Sequence, residues 1–356
     1  MSAAGHVRIL AVGDPYIPVS VFTAALAAVG DAASITALQI EEATAPPPRT
    51  ASEELIREYA GDPAAIAAAV AGHDVLVVHG APVTAEVLDA APLRLVCCAR
   101  GGPVNVDIAA ATARRIPVTN SPGKNAEAVA ELTLAFAVML IRGVPSSARF
   151  LLDGGRHGDN TFEGGQFIGG EAASMTLGLV GLGHVGAAVA VRARALGFTV
   201  IAHDPVPPQF VPVGVSIVGL DELLARSDIV SVHARASASN RHLFSAAAFA
   251  RMPPGSYFIN TARESLVDED ALLHALTSGA LAGAALDVAE RPAAGSRHPL
   301  LGLPNVIMTP HIGGATRETL RRGAEMLVVA IAHVLAGQEP DYLVNPEYQA
   351  RKAAVS

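Results

Sequence analysis

TLGLVGLGHVG, residues 176–186, runs directly into AAVAVRARALG. A short strand-like run meets three glycines at the spacing Gly181-x-Gly183-x-x-Gly186, and a stretch of helical character follows. In a chain rich in alanine and glycine that spacing alone says little; the strand before it and the helix after it give it meaning. Gly181 permits the tight turn, Gly183 lets the backbone reach a pyrophosphate, and Gly186 allows close packing of helix on strand. With His184 and Val185 they open a helix whose free N–H groups and positive dipole end suit phosphate. The next strand, FTVIAH, ends at Asp204, 18 residues beyond Gly186. A carboxylate there accepts ribose hydroxyls and repels a 2′-phosphate, and no arginine follows in DPVPPQF, so the pattern predicts NAD rather than NADP. A helix-capping loop with a surface aspartate is the plainer alternative.

Around this motif, short β-rich runs alternate with Ala/Leu-rich helical stretches. After it come DIVSVH, SYFIN, LAGAALD and NVIMTP, each separated by helix-sized segments. Before it come VRILAV (7–12), a helix around 19–29, a break at APPPRT, helical ASEELIREYA and DPAAIAAAVA, then strands DVLVVH (74–79), LRLVCCA (93–99) and IPVTN (116–120). VDIAAATARR (106–115) reads as a helix. NAEAVAELTLAFAVMLIRG (125–143) reads as one long helix stopped by Gly143 and Pro145, and DGGRHGDNTFEGGQFIGG (153–170) as a flexible loop. Strands spaced in this way predict parallel sheets wrapped by helices, in two α/β units that meet near 120–125.

Composition narrows the function. The 356 residues are 51% hydrophobic and 16% charged, enough for a sizeable core and two domains. A formal charge of −8 argues against nucleic acid or an anionic membrane as partner. The only cysteines, Cys97 and Cys98, lie side by side in an apolar run and so point to opposite faces of a strand. Buried thiols are the simplest reading; the pair has neither a metal-ligand spacing nor a disulfide partner elsewhere. The N-terminus lacks a signal-peptide pattern and LTLAFAVMLI (132–141) is too short to span a bilayer, so a soluble, cytoplasmic protein is expected.

Further stretches carry a resemblance: ARGGPVNVD (99–107), NSPGKNAEAVAEL (120–132), GLVGLGHVG (178–186), INTARESLVDEDAL (259–272), ALDVAE (285–290) and LPNVIMTPHIGGAT (303–316). In this order they resemble the D-isomer-specific 2-hydroxyacid dehydrogenases over nearly the whole chain. The resemblance implies two Rossmann-like doubly wound domains, an NAD domain at 121–314 inserted into a flavodoxin-like substrate domain of 1–120 plus 315–356, with the active site in the cleft between them. It also implies a homodimer formed through the NAD domains and a small 2-keto or 2-hydroxy acid as substrate.

Roles follow for the matching residues. Reduction of a 2-keto acid needs a hydride donor, a proton donor at the carbonyl oxygen and positive charge for the carboxylate. NADH supplies the first. His311, between Pro310 and the Gly313–Gly314 pair, fits the proton donor, and Arg263 fits the carboxylate and keto-oxygen clamp. The N–H groups around Arg100, Gly101 and Gly102 would bind the carboxylate, unless ARGG is an ordinary turn. The family's cofactor contacts map to His233, Thr261, Ala262, Asp287, Gly313 and Gly314.

The family's third catalytic residue, a glutamate five positions after the aspartate of ALDV, is Pro292 here, and Glu264 stands where glycine is usual. Three alternatives follow: Glu290 partners His311, Glu264 does, or no carboxylate does. Of these, Glu290 is the favoured expectation, being on the same segment. The turn VVHGAPVT (77–84) lacks the basic pair of phosphoglycerate dehydrogenases, and the chain has no room for their regulatory domain, so 3-phosphoglycerate is disfavoured. Alternatives in other classes are a phosphite dehydrogenase-like enzyme and a non-catalytic, NAD-sensing corepressor.

Overall fold

The computed structural model describes residues 6–155, 163–208, 210–290, 292 and 295–353. The RHGDNTF stretch of the glycine-rich connection lies outside them, as does Gln209 of DPVPPQF. The described residues cluster into two units, one from Met1–Lys124 with Arg317–Ser356, the other from Asn125–Thr316.

The first unit is a five-stranded parallel sheet of β1 (Val7–Gly13), β2 (Ala33–Gln39), β3 (Val75–Val78), β4 (Leu95–Cys98) and β5 (Val118–Asn120), in the order β2-β1-β3-β4-β5. Every residue of β3 and β4 is buried, because a parallel sheet is covered on both faces. Alternate side chains serve two cores: Leu76, Val78, Val96 and Cys98 face one, and Val75, Val77, Leu95 and Cys97 the other. The second core is closed by the helix Arg317–Leu335, through Ala324, Leu327 and Ile331. The two thiols therefore do point to opposite faces. Burial pushes Cys97 up to about 12 and Cys98 up to about 11, which leaves both protonated and inert.

The second unit is a seven-stranded parallel sheet of β6 (Thr176–Val180), β7 (Thr199–His203), β8 (Ser216–Ile217), β9 (Ile229–Val232), β10 (Ser256–Asn260), β11 (Leu281–Leu286) and β12 (Val306–Met308), ordered β12-β11-β10-β9-β6-β7-β8. Strand order reverses between β6 and β9, the doubly wound pattern that places ligands at the carboxyl ends of the strands. Phe244, Phe249 and Phe258 pack as a trio, Phe249 edge-on to Phe258, with ring centroids 4.9–6.3 Å apart. The α/β, two-sheet expectation holds.

Several local readings change. β2 (ASITALQ) and β8 were not foreseen: both are edge strands, β2 partly and β8 wholly exposed, and short of the apolar runs that mark central strands. ASEELIREYA is helical only over Ala51–Leu55; Ile56 is extended and Glu58 adopts φ +51. The long helix ends at Ile141, and Pro145, expected to stop it, sits in the first turn of the next helix, Val144–Leu152, where a missing N–H is harmless. Gly143, at φ +61, makes the 65° bend between them. Among the described residues no single helix is long and apolar enough to cross a membrane.

Candidate active site

The glycine loop leaves β6 and enters the helix His184–Ala195. Gly181 lies at φ +100, and a Cβ there would meet the Ala234 nitrogen at 2.6 Å. A Cβ at Gly186 would lie 2.1 Å from the Gly181 carbonyl oxygen, so helix and strand touch through backbone. A Cβ at Gly183 would meet nothing within 4 Å: this glycine faces open space, as a residue that must admit a phosphate should. Asp204, one residue past β7, ties the loop in place. Its Oδ2 accepts the Leu182 N–H at 2.8 Å and its Oδ1 the Val206 N–H at 3.0 Å, and each oxygen keeps a lone pair for a hydroxyl. His233, one residue past β9, is bonded through Nε2 to Ser231 Oγ at 2.9 Å, while its buried Nδ1 has no partner among the described residues. Burial pulls the ring down to about 3, so it is neutral at physiological pH. An open cradle, a free helix N-terminus and an unsatisfied ring nitrogen together fit a dinucleotide.

Three neighbouring strands, β10, β11 and β12, carry the candidate residues Arg263, Asp287 and His311. Asn260, Leu286 and Met308 stand side by side at their carboxyl ends. Arg263 follows three residues after β10, Asp287 one after β11 and His311 three after β12. Buried Asn260 shapes the NTAR turn: its Oδ1 accepts the Ala262 N–H and its Nδ2 donates to the Arg263 carbonyl, both at 2.9 Å. Arg263 is exposed and donates through Nη1 to the Ala262 carbonyl at 2.7 Å, leaving its other N–H groups for a ligand. Thr261 Oγ1 lies 3.2 Å from Thr133 Oγ1.

Asp287 organises the TPHIGG turn. Its buried carboxylate accepts from Thr309 Oγ1 at 2.6 Å, the Ile312 N–H at 2.8 Å and the Gly313 N–H at 2.7 Å, and its carbonyl accepts the His311 N–H at 2.9 Å. These bonds hold His311 at φ +58, a left-handed conformation that costs a residue bearing Cβ on the order of 1–2 kcal/mol. They also explain Gly313, where a Cβ would press on Asp287 Oδ2 at 2.8 Å. Gly314 is half-buried, and its carbonyl accepts the Thr316 N–H at 3.0 Å, closing the turn. The His311 side chain is exposed.

The Glu290 N–H donates to Glu269 Oε1 at 2.7 Å, which turns this segment toward the buried pair of Glu269 Oε2 and His298 Nε2, 2.8 Å apart. Among the described residues neither Glu290 nor Glu264 makes a hydrogen bond or ion pair to His311. No bond to His311 among the described residues supports a Glu290 partner; the contact shown for Glu290 is that of its backbone N–H with Glu269.

In the first unit the ARGG turn follows β4. The Arg100 guanidinium is engaged by Glu58, through the carbonyl at 2.8 Å and the Oε2 carboxylate oxygen, so this charge is already paired. Gly101 and Gly102 are exposed, and their carbonyls accept from Asn120 Nδ2 and the Val104 N–H, both at 2.9 Å; their own N–H groups have no acceptor among the described residues. Two features here escaped the reading of the sequence. Asp14 and His79 form a pair at 2.9 Å, and Lys124 is 6% exposed with an Nζ that finds no partner among the described residues. The lysine sits inside a quoted motif, NSPGKNAEAVAEL, but nothing in its spacing marks it as buried.

Residues 134–313 match the family model for the D-isomer-specific 2-hydroxyacid dehydrogenase NAD-binding domain. The chain is 39% identical to D-3-phosphoglycerate dehydrogenase of Mycobacterium tuberculosis over 283 residues, 78% of this chain and 52% of that protein. It thus spans about half the length of that enzyme. It is 38% identical to hydroxypyruvate reductase of Thermotoga maritima over 259 residues, 71% of this chain and 82% of that protein. Among solved structures it is similar to the TT0316 protein of Thermus thermophilus, with 33% identity and a TM-score of 0.75 across 95% of this chain and 99% of that one.

Proposed function

The chain belongs to the D-isomer-specific 2-hydroxyacid dehydrogenase family, and from that membership we propose that it is an NAD-dependent oxidoreductase interconverting a small 2-keto acid and its D-2-hydroxy acid. The observation that carries the reading is the placement of Arg263, Asp287 and His311 at the carboxyl ends of three adjacent parallel strands. NAD, when bound, supplies or takes up the hydride. Gly183, His184 and Val185 would hold its pyrophosphate on a turn shaped by Gly181 and Gly186, Asp204 would hold its ribose, and His233, Thr261, Ala262, Gly313 and Gly314 its remaining edges. Arg263 binds the carboxylate and draws electron density toward the keto oxygen, using the N–H groups left free by its single internal bond. His311 gives a proton to the oxygen in reduction and removes it in oxidation. Asp287 fixes where that imidazole stands, and does so without lending it a carboxylate.

The test is NADH oxidation, followed by absorbance, against a panel of 2-keto acids that includes glyoxylate and hydroxypyruvate, with phosphite and NAD as a separate arm. At least one keto acid is turned over, and His311→Gln lowers kcat by about 10²–10⁴-fold while NADH binding persists. NADH binding without turnover of any member would instead favour the non-catalytic, corepressor-like reading. Glu290→Gln leaves the pH profile in place, since its carboxylate is not bonded to His311. We also assign a cytoplasmic homodimer; the exposed apolar residues Leu152 (82%) and Ile168 (86%) support a covered face, and light scattering of the purified chain tests it.

A further inference from the structure

Arg263, Asp287 and His311 leave three different strands, yet an unbroken line of hydrogen bonds joins their main chains within the second unit. The Arg263 carbonyl accepts from Asn260 Nδ2, the Asn260 carbonyl accepts the Asp287 N–H, and the Asp287 carbonyl accepts the His311 N–H, each at 2.9 Å. Two of these links run backbone to backbone, so any residue but proline can make them. The remaining one depends on a single side chain. Asn260 is 1% exposed at the end of β10, and its register with Leu286 on one side and Val232 on the other is also carried by main chain. A substitution at 260 therefore cuts the side-chain link and leaves the strand pairing in place.

The partners fix which way the amide faces. The Ala262 N–H can only donate and the Arg263 carbonyl can only accept, so Oδ1 meets the first and Nδ2 the second, both at 2.9 Å. Ala262 also carries the guanidinium, since its carbonyl accepts from Arg263 Nη1 at 2.7 Å. Asn260 and the head of Arg263 thus grip the same residue, and whatever displaces Ala262 displaces the cation. A hydrocarbon at 260 would offer neither bond. A carboxylate would keep the bond from Ala262 and turn a second oxygen on the Arg263 carbonyl. We infer that Asn260 is a positioning residue for the reaction: its amide sets where Arg263 stands relative to His311, and it acts on substrate only through that arginine. The inference deepens the reading in the preceding subsection and rests on it.

Asn260→Asp gives a signature that a merely structural role would not. The introduced carboxyl has nearly the shape of the amide, and burial pushes its titration up. Protonated, it donates to the Arg263 carbonyl and accepts from Ala262 as the amide does; ionised, it has lost the donor. The ratio of variant to native kcat/KM should then fall as pH rises through that titration, and taking the ratio removes the pH dependence that His311 gives to both proteins.

The experiment measures NADH-linked initial rates of native chain, Asn260→Ala and Asn260→Asp across a pH series, with glyoxylate, hydroxypyruvate and pyruvate. Asn260→Ala is expected to lose about 100-fold in kcat/KM, the cost of a small misplacement at a reacting centre, while NADH affinity read by fluorescence titration is kept. Asn260→Asp approaches native rates at the acid end and falls about 100-fold below them at the alkaline end. A ratio flat with pH, or native kcat/KM in Asn260→Ala, would overturn the inference. Loss of NADH affinity by the same factor as kcat/KM would assign the amide to the cofactor and overturn it too. Where Asn260→Ala fails to fold, the Asn260→Asp ratio decides alone. If the native chain turns over none of the three acids, the dehydrogenase reading fails, and the Glu264 amide resonance, which senses bonding at the Arg263 carbonyl, decides the link. A pH step in Asn260→Asp that native lacks upholds it, and no step overturns it.

Discussion

At the scale of the residue, Lys124 is a buried charge that works against stability. Holding its ammonium near 8 instead of its ordinary 10.5 costs the folded chain about 3 kcal/mol at neutral pH. The sign follows from proton counts. Below pH 8 both folded and unfolded chains carry the proton and the cost is complete; between 8 and 10.5 only the unfolded chain holds it, so this group's contribution to stability improves as pH rises. Lys124→Met, which fills the same space without charge, should be more stable than the native chain by about 3 kcal/mol at pH 7, and by progressively less toward pH 10.5. Denaturant titrations at pH 7 and pH 10 check both statements; a variant less stable at pH 7 would show that the ammonium has a partner. Chemistry and burial part company in how readable they were. Arg263 and His311 could be proposed from sequence because such roles attach to residue type and motif. The Asp287 bonds, the Glu58 clamp on Arg100 and the isolation of Lys124 depend on neighbours tens of residues away, which no local pattern encodes.

Among the elements, the turn from β6 into the helix His184–Ala195 separates binding from folding within six residues. Gly183→Ala adds a methyl to open space at a backbone conformation any residue tolerates, so melting is unchanged while NADH affinity falls roughly 10–100-fold, about 1.4–2.8 kcal/mol. Gly186→Ala drives a methyl into the Gly181 carbonyl, and should destabilise the chain by about 1–3 kcal/mol or more. Thermal melting together with NADH fluorescence titration distinguishes the two, and a reversed pattern would refute the assignment of the glycines. This element was the most legible in the chain, since strand, turn and helix agree locally. The edge strands β2 and β8 were the least so: β2 shows alternating and partial burial where β3 shows an unbroken apolar run, and β8 spans two residues. The break at Ile56 was also hidden, because it serves a tertiary bond, the Arg57 N–H to the Val104 carbonyl at 2.8 Å.

For the molecule as a whole, the four apolar cores divide two and two. Those around Phe258 and around Leu179 draw only on Asn125–Thr316, and those around Leu76 and Ile9 only on the remainder. A continuous segment that owns both faces of its sheet should fold when excised: residues 125–316 alone are expected to unfold cooperatively, and saturating NADH at about 100 times its Kd to add about 2.7 kcal/mol. Loss of the cooperative transition on excision would count against that independence. The other unit has no such self-sufficiency. Leu327 and Ile331, on the helix Arg317–Leu335, close the face formed by Val7, Ile9 and Leu95. During synthesis the amino-terminal strands must therefore leave the ribosome with that oily surface bare, and wait while the whole inserted domain is translated, on the order of 10–40 s at about 5–20 residues per second. A nascent chain arrested before residue 317 should hold a chaperone on its first hundred residues even as its middle resists protease.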